Sequence, residues 1–250
     1  MFSKLLAERS KMPMYSIPVE KYIEASQVFH WATKRHFQLW FTGKESNRHR
    51  RTESVLQKLS KQRKLRSIRY GKKLIYVAPK HVKGKTTDEL YGLSKVAHGL
   101  ACTEGLVRFY RARTDGVVVA ERFFYGCGSV PEWGIIYPER RMLLFEYCTK
   151  NNFFFSGKIR GKLQAYARNL EKIEEKFAAK ALVVFACDVP KGVVENFVLG
   201  ERHAGSVAGA PPNVFFVDHA TFLKVRIGEQ LTAPIYYWSD GKQYPLRQNV

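Results

Sequence analysis

The chain has 250 residues, 45% of them apolar, and its 42 Lys and Arg outweigh 22 Asp and Glu to give a formal net charge of +20. A balance this basic points to a polyanionic partner, and no apolar run approaches the roughly 18 residues of a membrane span. Its 4 cysteines, at 102, 127, 148 and 187, include no Cys-x-x-Cys pair, which argues against structural zinc and a disulfide framework.

Residues 1–17 read as an N-terminal arm, whose opening Met1–Arg9 is too charged for a secretory signal. Cytoplasmic, reduced thiols are the expectation. Pro18 can start a first helix with Val19, Tyr22, Ile23, Val28, Phe29 and Trp31 as apolar positions. The aromatic-dense Phe37–Thr42 segment reads as a short strand or a turn between helices.

A basic helix follows, from about Arg48 to Gln62. Thr52, Val55, Leu56 and Leu59 recur at helical spacing and predict one buried stripe. Arg48, Arg50, Arg51, Ser54, Lys58 and Lys61 fall on the outer face. Next come Leu65–Arg69, a turn at Tyr70-Gly71-Lys72-Lys73, and Leu74–Val77, which predict a β-hairpin with Arg69, Lys72 and Lys73 as its cations. A cationic helix beside a cationic hairpin is the layout of a winged helix-turn-helix. Residues 1–90 carry 21 basic and 7 acidic side chains, against 21 and 15 in residues 91–250. The electrostatic footprint therefore lies in the N-terminal third.

Residues 80–89 lack apolar periodicity and read as a linker between a domain at 18–79 and a second at 90–250. Leu90–Tyr110 predicts a helix, Val117–Ala120 and Phe123–Tyr125 strand-like pieces, and Trp133–Tyr137 and Met142–Cys148 two strands joined by a turn at Pro138–Arg141. Gly157–Ala179 predicts a long amphipathic helix with Ile159, Leu163, Tyr166, Leu170, Ile173 and Phe177 as its stripe. Ala181–Cys187 and Asn213–Val217 read as buried strands. This order of elements describes an α/β domain.

Glu104, Glu132 and Glu146 are the carboxylates worth reading together. Two strands joined by a tight turn bring Glu132 and Glu146 side by side, and a packed helix can supply Glu104. Such a set suits a hard cation, Mg²⁺ or Mn²⁺, and Lys150, if the strand continues, would share a face with Glu146 and Cys148. Ordinary solvated glutamates are the competing interpretation.

These residues resemble the PD-(D/E)xK nuclease fold, and the whole chain resembles the replication-relaxation family of plasmids and mobile elements. The matching pieces are His98-Gly99-Leu100 with Glu104, Pro131-Glu132, Leu143–Glu146, and Lys162 with Tyr166; the tail from Leu231 to Pro245 resembles the family's closing strands. The resemblance implies a winged helix-turn-helix followed by a nuclease-like α/β domain, α+β overall. It also implies Glu104, Glu132 and Glu146 as metal ligands, with a lysine beside them. The fold's active members usually have Asp at the position of Glu132 and Lys at that of Cys148, so Lys150 from the strand face, or Lys158 or Lys162 from the following helix, would replace the ammonium if the domain cleaves.

The expected function is double-stranded DNA binding by a plasmid, phage or other mobile-element protein, in replication, maintenance or its regulation. Its setting would be a bacterial or archaeal cytoplasm, at the nucleoid or plasmid. A homodimer and replication or mobile-element proteins are the expected partners, and no membrane. The rivals are a metal-dependent DNA endonuclease or nickase and a cationic RNA-binding protein. Cys148 in place of lysine weighs against cleavage.

Overall fold

The computed structural model describes residues 17–29, 31–43, 50–79, 93–112, 114–154, 157–203, 214–218, 220, 222, 234–237 and 243–245. The protein is mixed α/β, with seven α-helices and two sheets among the described residues. It divides into two units, Met1–Thr114 and Asp115–Val250. Among the described residues no helix is long and apolar enough to cross a membrane.

The first unit runs α1 (Val19–Val28), β1 (Ala32–Thr33), α2 (Lys34–Thr42), α3 (Arg50–Lys61), β2 (Arg66–Tyr70), β3 (Lys73–Val77) and α4 (Leu93–Ala112). Its antiparallel sheet has the order β1-β3-β2. Pro18 immediately precedes α1, where the helix was expected to start. The segment Phe37–Thr42 is helical rather than a strand or turn. The Thr33 backbone N–H donates to His36 Nδ1 at 3.1 Å, half of a capping box, and Gly43 closes the helix in the left-handed conformation at φ 68°. Its aromatic density reflects burial on almost every side: Phe37, Leu39, Trp40 and Phe41 are all in the core. Phe29 meets Trp40 edge-on at 5.3 Å, and Tyr22 lies against Phe41 at 4.7 Å.

Helix α4 was expected to open the second domain and belongs instead to the first unit. Tyr110 stacks on Trp40 at 4.3 Å, and Arg111 Nε donates to the Leu39 carbonyl at 2.8 Å. Gly99 admits the Trp31 indole so closely that any Cβ there would collide with it. The expected linker, residues 80–89, lies outside the described residues, as does most of the N-terminal arm. At the observed division the charge asymmetry sharpens: residues 1–114 hold 25 basic and 8 acidic side chains, residues 115–250 hold 17 and 14.

The second unit opens with a meander, β4 (Val117–Ala120), β5 (Trp133–Tyr137) and β6 (Arg141–Cys148). Phe123 and Phe124, read as strand-like, lie in a 3-10 turn over Glu121–Phe124. Then come α5 (Lys150–Phe154), α6 (Gly157–Phe177), β7 (Lys180–Cys187), α7 (Lys191–His203), β8 (Val214–Asp218), β9 (Pro234–Tyr237) and β10 (Gln243–Pro245). The sheet order is β10-β9-β8-β7-β6-β5-β4, with β6, β7 and β8 parallel and the other pairings antiparallel. Helices α6 and α7 are the crossovers that parallel neighbours require. The expected stripe of α6 is its buried face: Ile159, Leu163, Tyr166, Leu170 and Ile173 cover Leu144, Val183 and Phe185. Alternation puts Phe145 on the other face, where it stacks on Trp133 at 4.4 Å. Of the adjacent aromatics on α5, Phe153 is in the core and Phe154 is exposed.

Candidate nucleic-acid interface and a buried carboxylate pair

Helix α3 buries the four residues its periodicity predicted, Thr52, Val55, Leu56 and Leu59. Arg50, Arg51, Ser54, Lys58 and Lys61 are exposed on its other side, and Arg48 lies outside the described residues. Glu53, the carboxylate of that outer face, is bridged by Lys34 at 2.9 Å. Strands β2 and β3 pair Ile68 with Ile75 as their buried contact and turn through Gly71 and Lys72. Gly71 takes the positive φ, 56°, that a two-residue hairpin turn needs at its first central position. Arg69, Lys72 and Lys73 are exposed around that turn.

Three further cations between α3 and the turn went unread in the sequence: Arg63, Lys64 and Arg66 are all exposed. Arg63 has φ 57°, at the position after α3 where glycine is usual, and the Lys64 N–H closes the helix onto the Leu59 carbonyl at 2.9 Å. A left-handed non-glycine residue costs about 1 kcal/mol. The run Gln62-Arg63-Lys64 between helix and strand was the available signal. Among the described residues no carboxylate pairs with any of these hairpin and α3 cations, so their combined field is open to solvent.

Glu104 sits on α4 with both oxygens engaged inside the first unit. Arg35 Nη1 reaches Oε2 at 2.6 Å, His36 Nε2 reaches the same oxygen at 2.9 Å, and Arg108 holds Oε1 through Nε at 2.7 Å and Nη2 at 2.6 Å. Burial works against its charge. The hydrogen bond from His36 and the charges of Arg35 and Arg108 outweigh burial and hold the carboxyl well below the usual carboxylate range. Glu104 is therefore the centre of an ion-pair cluster joining α2 to α4, where a metal ligand was expected.

Glu132 and Glu146 do come together, as the hairpin argument predicted. Trp133 pairs with Phe145, so the next residues outward, Glu132 and Glu146, face each other across β5 and β6. The Glu132 N–H continues that ladder to the Phe145 carbonyl at 2.9 Å. Lys162, on α6, donates to Glu146 Oε2 and lies 3.9 Å from Glu132 Oε1. Tyr166, one turn further along α6, donates its hydroxyl to Glu146 Oε1 at 2.8 Å. Burial pushes the Glu146 carboxyl up to about 7, with Lys162 pulling against it and the like charge of Glu132 adding to it. Burial also works against the Lys162 ammonium, but the two carboxylates prevail and raise its pKa, so it stays charged.

Of the three lysines expected as replacements, Lys162 reaches the pair, whereas Lys158 donates to Asn152 Oδ1 at 3.3 Å. Strand β6 stops at Cys148; Thr149 Oγ1 accepts the Asn152 N–H at 3.4 Å and starts α5, which carries Lys150 out to solvent. Cys148 is buried beside Cys187, its register partner on β7.

The donor chemistry of this pair, two carboxylates, is of the class that Mg²⁺ and Mn²⁺ prefer, but the arrangement does not fit such an ion. Mg²⁺ keeps several waters when it binds protein, and the Glu146 side chain is 1% exposed with each oxygen already accepting a hydrogen bond. The third expected ligand, Glu104, is committed to two guanidinium groups. The chain matches no protein-family model, and no curated protein resembles it significantly in sequence.

Proposed function

We propose that the chain binds double-stranded DNA through its first unit, with α3 in the major groove and the β2–β3 hairpin as a wing along the backbone. The observation that carries this reading is the run of exposed cations on α3 and the hairpin, from Arg50 to Lys73, with the one carboxylate of that run bridged by Lys34. The order α1-β1-α2-α3-β2-β3, with β1 paired to β3, supports a winged helix-turn-helix. Arg50, Arg51, Ser54 and Lys58 are the groups for base edges and nearby phosphates, and Arg69, Lys72 and Lys73 serve the backbone. An RNA-binding sheet would present aromatic rings for stacking; the hairpin's exposed residues are mostly cations, with Leu74 its exposed large apolar side chain.

In the second unit, the meander, the β6-α6-β7 crossover and the Glu132–Glu146–Lys162 cluster support the PD-(D/E)xK resemblance. We assign this unit to assembly on DNA, with a second copy on a related half-site, in the replication or maintenance of a mobile element. The test is binding of the full chain to duplex libraries and to single-stranded RNA competitor. Arg51→Ala should weaken binding to the selected sites by about 1–3 kcal/mol and relax their sequence preference. Equal loss on every sequence would reduce Arg51 to a phosphate contact, and preferential competition by RNA would defeat the proposal.

A further inference from the structure

We infer that Lys162 is the resident cation of the Glu132–Glu146 pair, so that the second unit closes over its own ammonium where the nuclease resemblance would seat a divalent metal ion.

Two carboxylates facing each other on adjacent strands, one of them fully buried, need a positive charge between them. Lys162 supplies it from α6, donating to Glu146 and standing within ion-pair distance of Glu132. Tyr166 takes the remaining Glu146 oxygen from the same helix face. The group is thus satisfied without an added ion, and a divalent cation would have to sit against the ammonium, where like charges at short range repel strongly in a low-dielectric site. The Lys162 side chain is 41% exposed while Glu146 is 1% exposed. The side chain that reaches the buried carboxylate is thus itself part-exposed, and shortening it removes the cover it supplies.

The inference implies a latent cation site: removing the ammonium leaves two facing carboxyl groups, and a cation from solution then competes with a proton for Glu146. It is independent of the DNA reading, because none of these residues belongs to the α3–hairpin surface.

The experiment is a Mn²⁺ titration of the full-length protein followed by electron paramagnetic resonance, which counts free ion. Wild type should take up no stoichiometric Mn²⁺ in the micromolar range. Lys162→Ala should bind about tenfold or more tightly than wild type, and the added Glu146→Gln change should remove that gain. Lys162→Met, which keeps the apolar stem over the core, repeats the test if the alanine variant fails to fold. Stoichiometric uptake by wild type that Glu146→Gln abolishes would overturn the inference. So would folded Lys162 variants that bind no better than wild type.

Discussion

His36 Nε2 lies 2.9 Å from Glu104 Oε2, and this bond ties the start of one helix to the middle of another. His36 Nδ1 accepts the Thr33 backbone N–H, so the ring hydrogen is on Nε2 and points at the carboxylate. The same imidazole therefore caps α2 and anchors α4, and Arg35 adds a second link from the neighbouring position.

Removing the carboxylate should destabilise the first unit heavily. Glu104→Ala leaves Arg108 and His36, whose side chains are 11% and 6% exposed, without their anion. Stranding the buried Arg108 guanidinium, with the His36 N–H left unpaired beside it, costs about 3–5 kcal/mol. Denaturant unfolding of the full chain should show a transition weakened by that amount; a loss below about 1 kcal/mol would mean that the cluster is dispensable.

The same group sets an acid limit. Its folded-state pKa lies below the ordinary value of 4.5, so its contribution is complete above that pH and is lost as pH falls toward the folded value. Stability of the wild-type first unit should therefore drop as the pH is lowered beneath about 4.5, and the Glu104→Ala protein should lose less over the same interval. Parallel pH profiles for the two proteins would contradict the assignment.

Ala178 closes α6 at φ 49°, with the Ala179 N–H bonded to the Glu174 carbonyl at 3.1 Å. Glycine is the residue this left-handed position favours. Relief of the Cβ strain, less the entropy of a freer unfolded chain, should make Ala178→Gly more stable by about 0.5–1 kcal/mol. Calorimetry that finds the variant less stable would rule out strain at that turn.

Much of this molecule was legible in its sequence wherever a periodicity stood against a polar background. The α3 stripe, the α6 stripe and the Gly71 turn are such places. Helix α2 was not, because a helix buried nearly all round has no polar face to mark its period, and its aromatics mimic a strand; Thr33 and Gly43 were the quieter signals. The division after Thr114 could not be read from composition, since Trp31, Trp40 and Arg35 decide where α4 packs. Glu132 and Glu146 were readable as a pair because strand register is arithmetic. Lys162 over Lys150 was not, since that depends on β6 ending at Cys148. Glu104 misled because a helical glutamate looks the same whether its partner is a metal or two arginines.

The most direct test of the central claim is the salt dependence of duplex binding, measured by fluorescence anisotropy on the full chain from about 50 to about 200 mM salt. Wild-type affinity should fall steeply and log-linearly, and neutralising Lys72 and Lys73 together should flatten the slope by about two units, at roughly 0.9 per lost phosphate contact. Alanine at Arg50, Arg51 and Lys58 should lower the affinity itself by at least about tenfold. Unchanged slope and affinity in both variants would contradict DNA binding by the α3–hairpin surface.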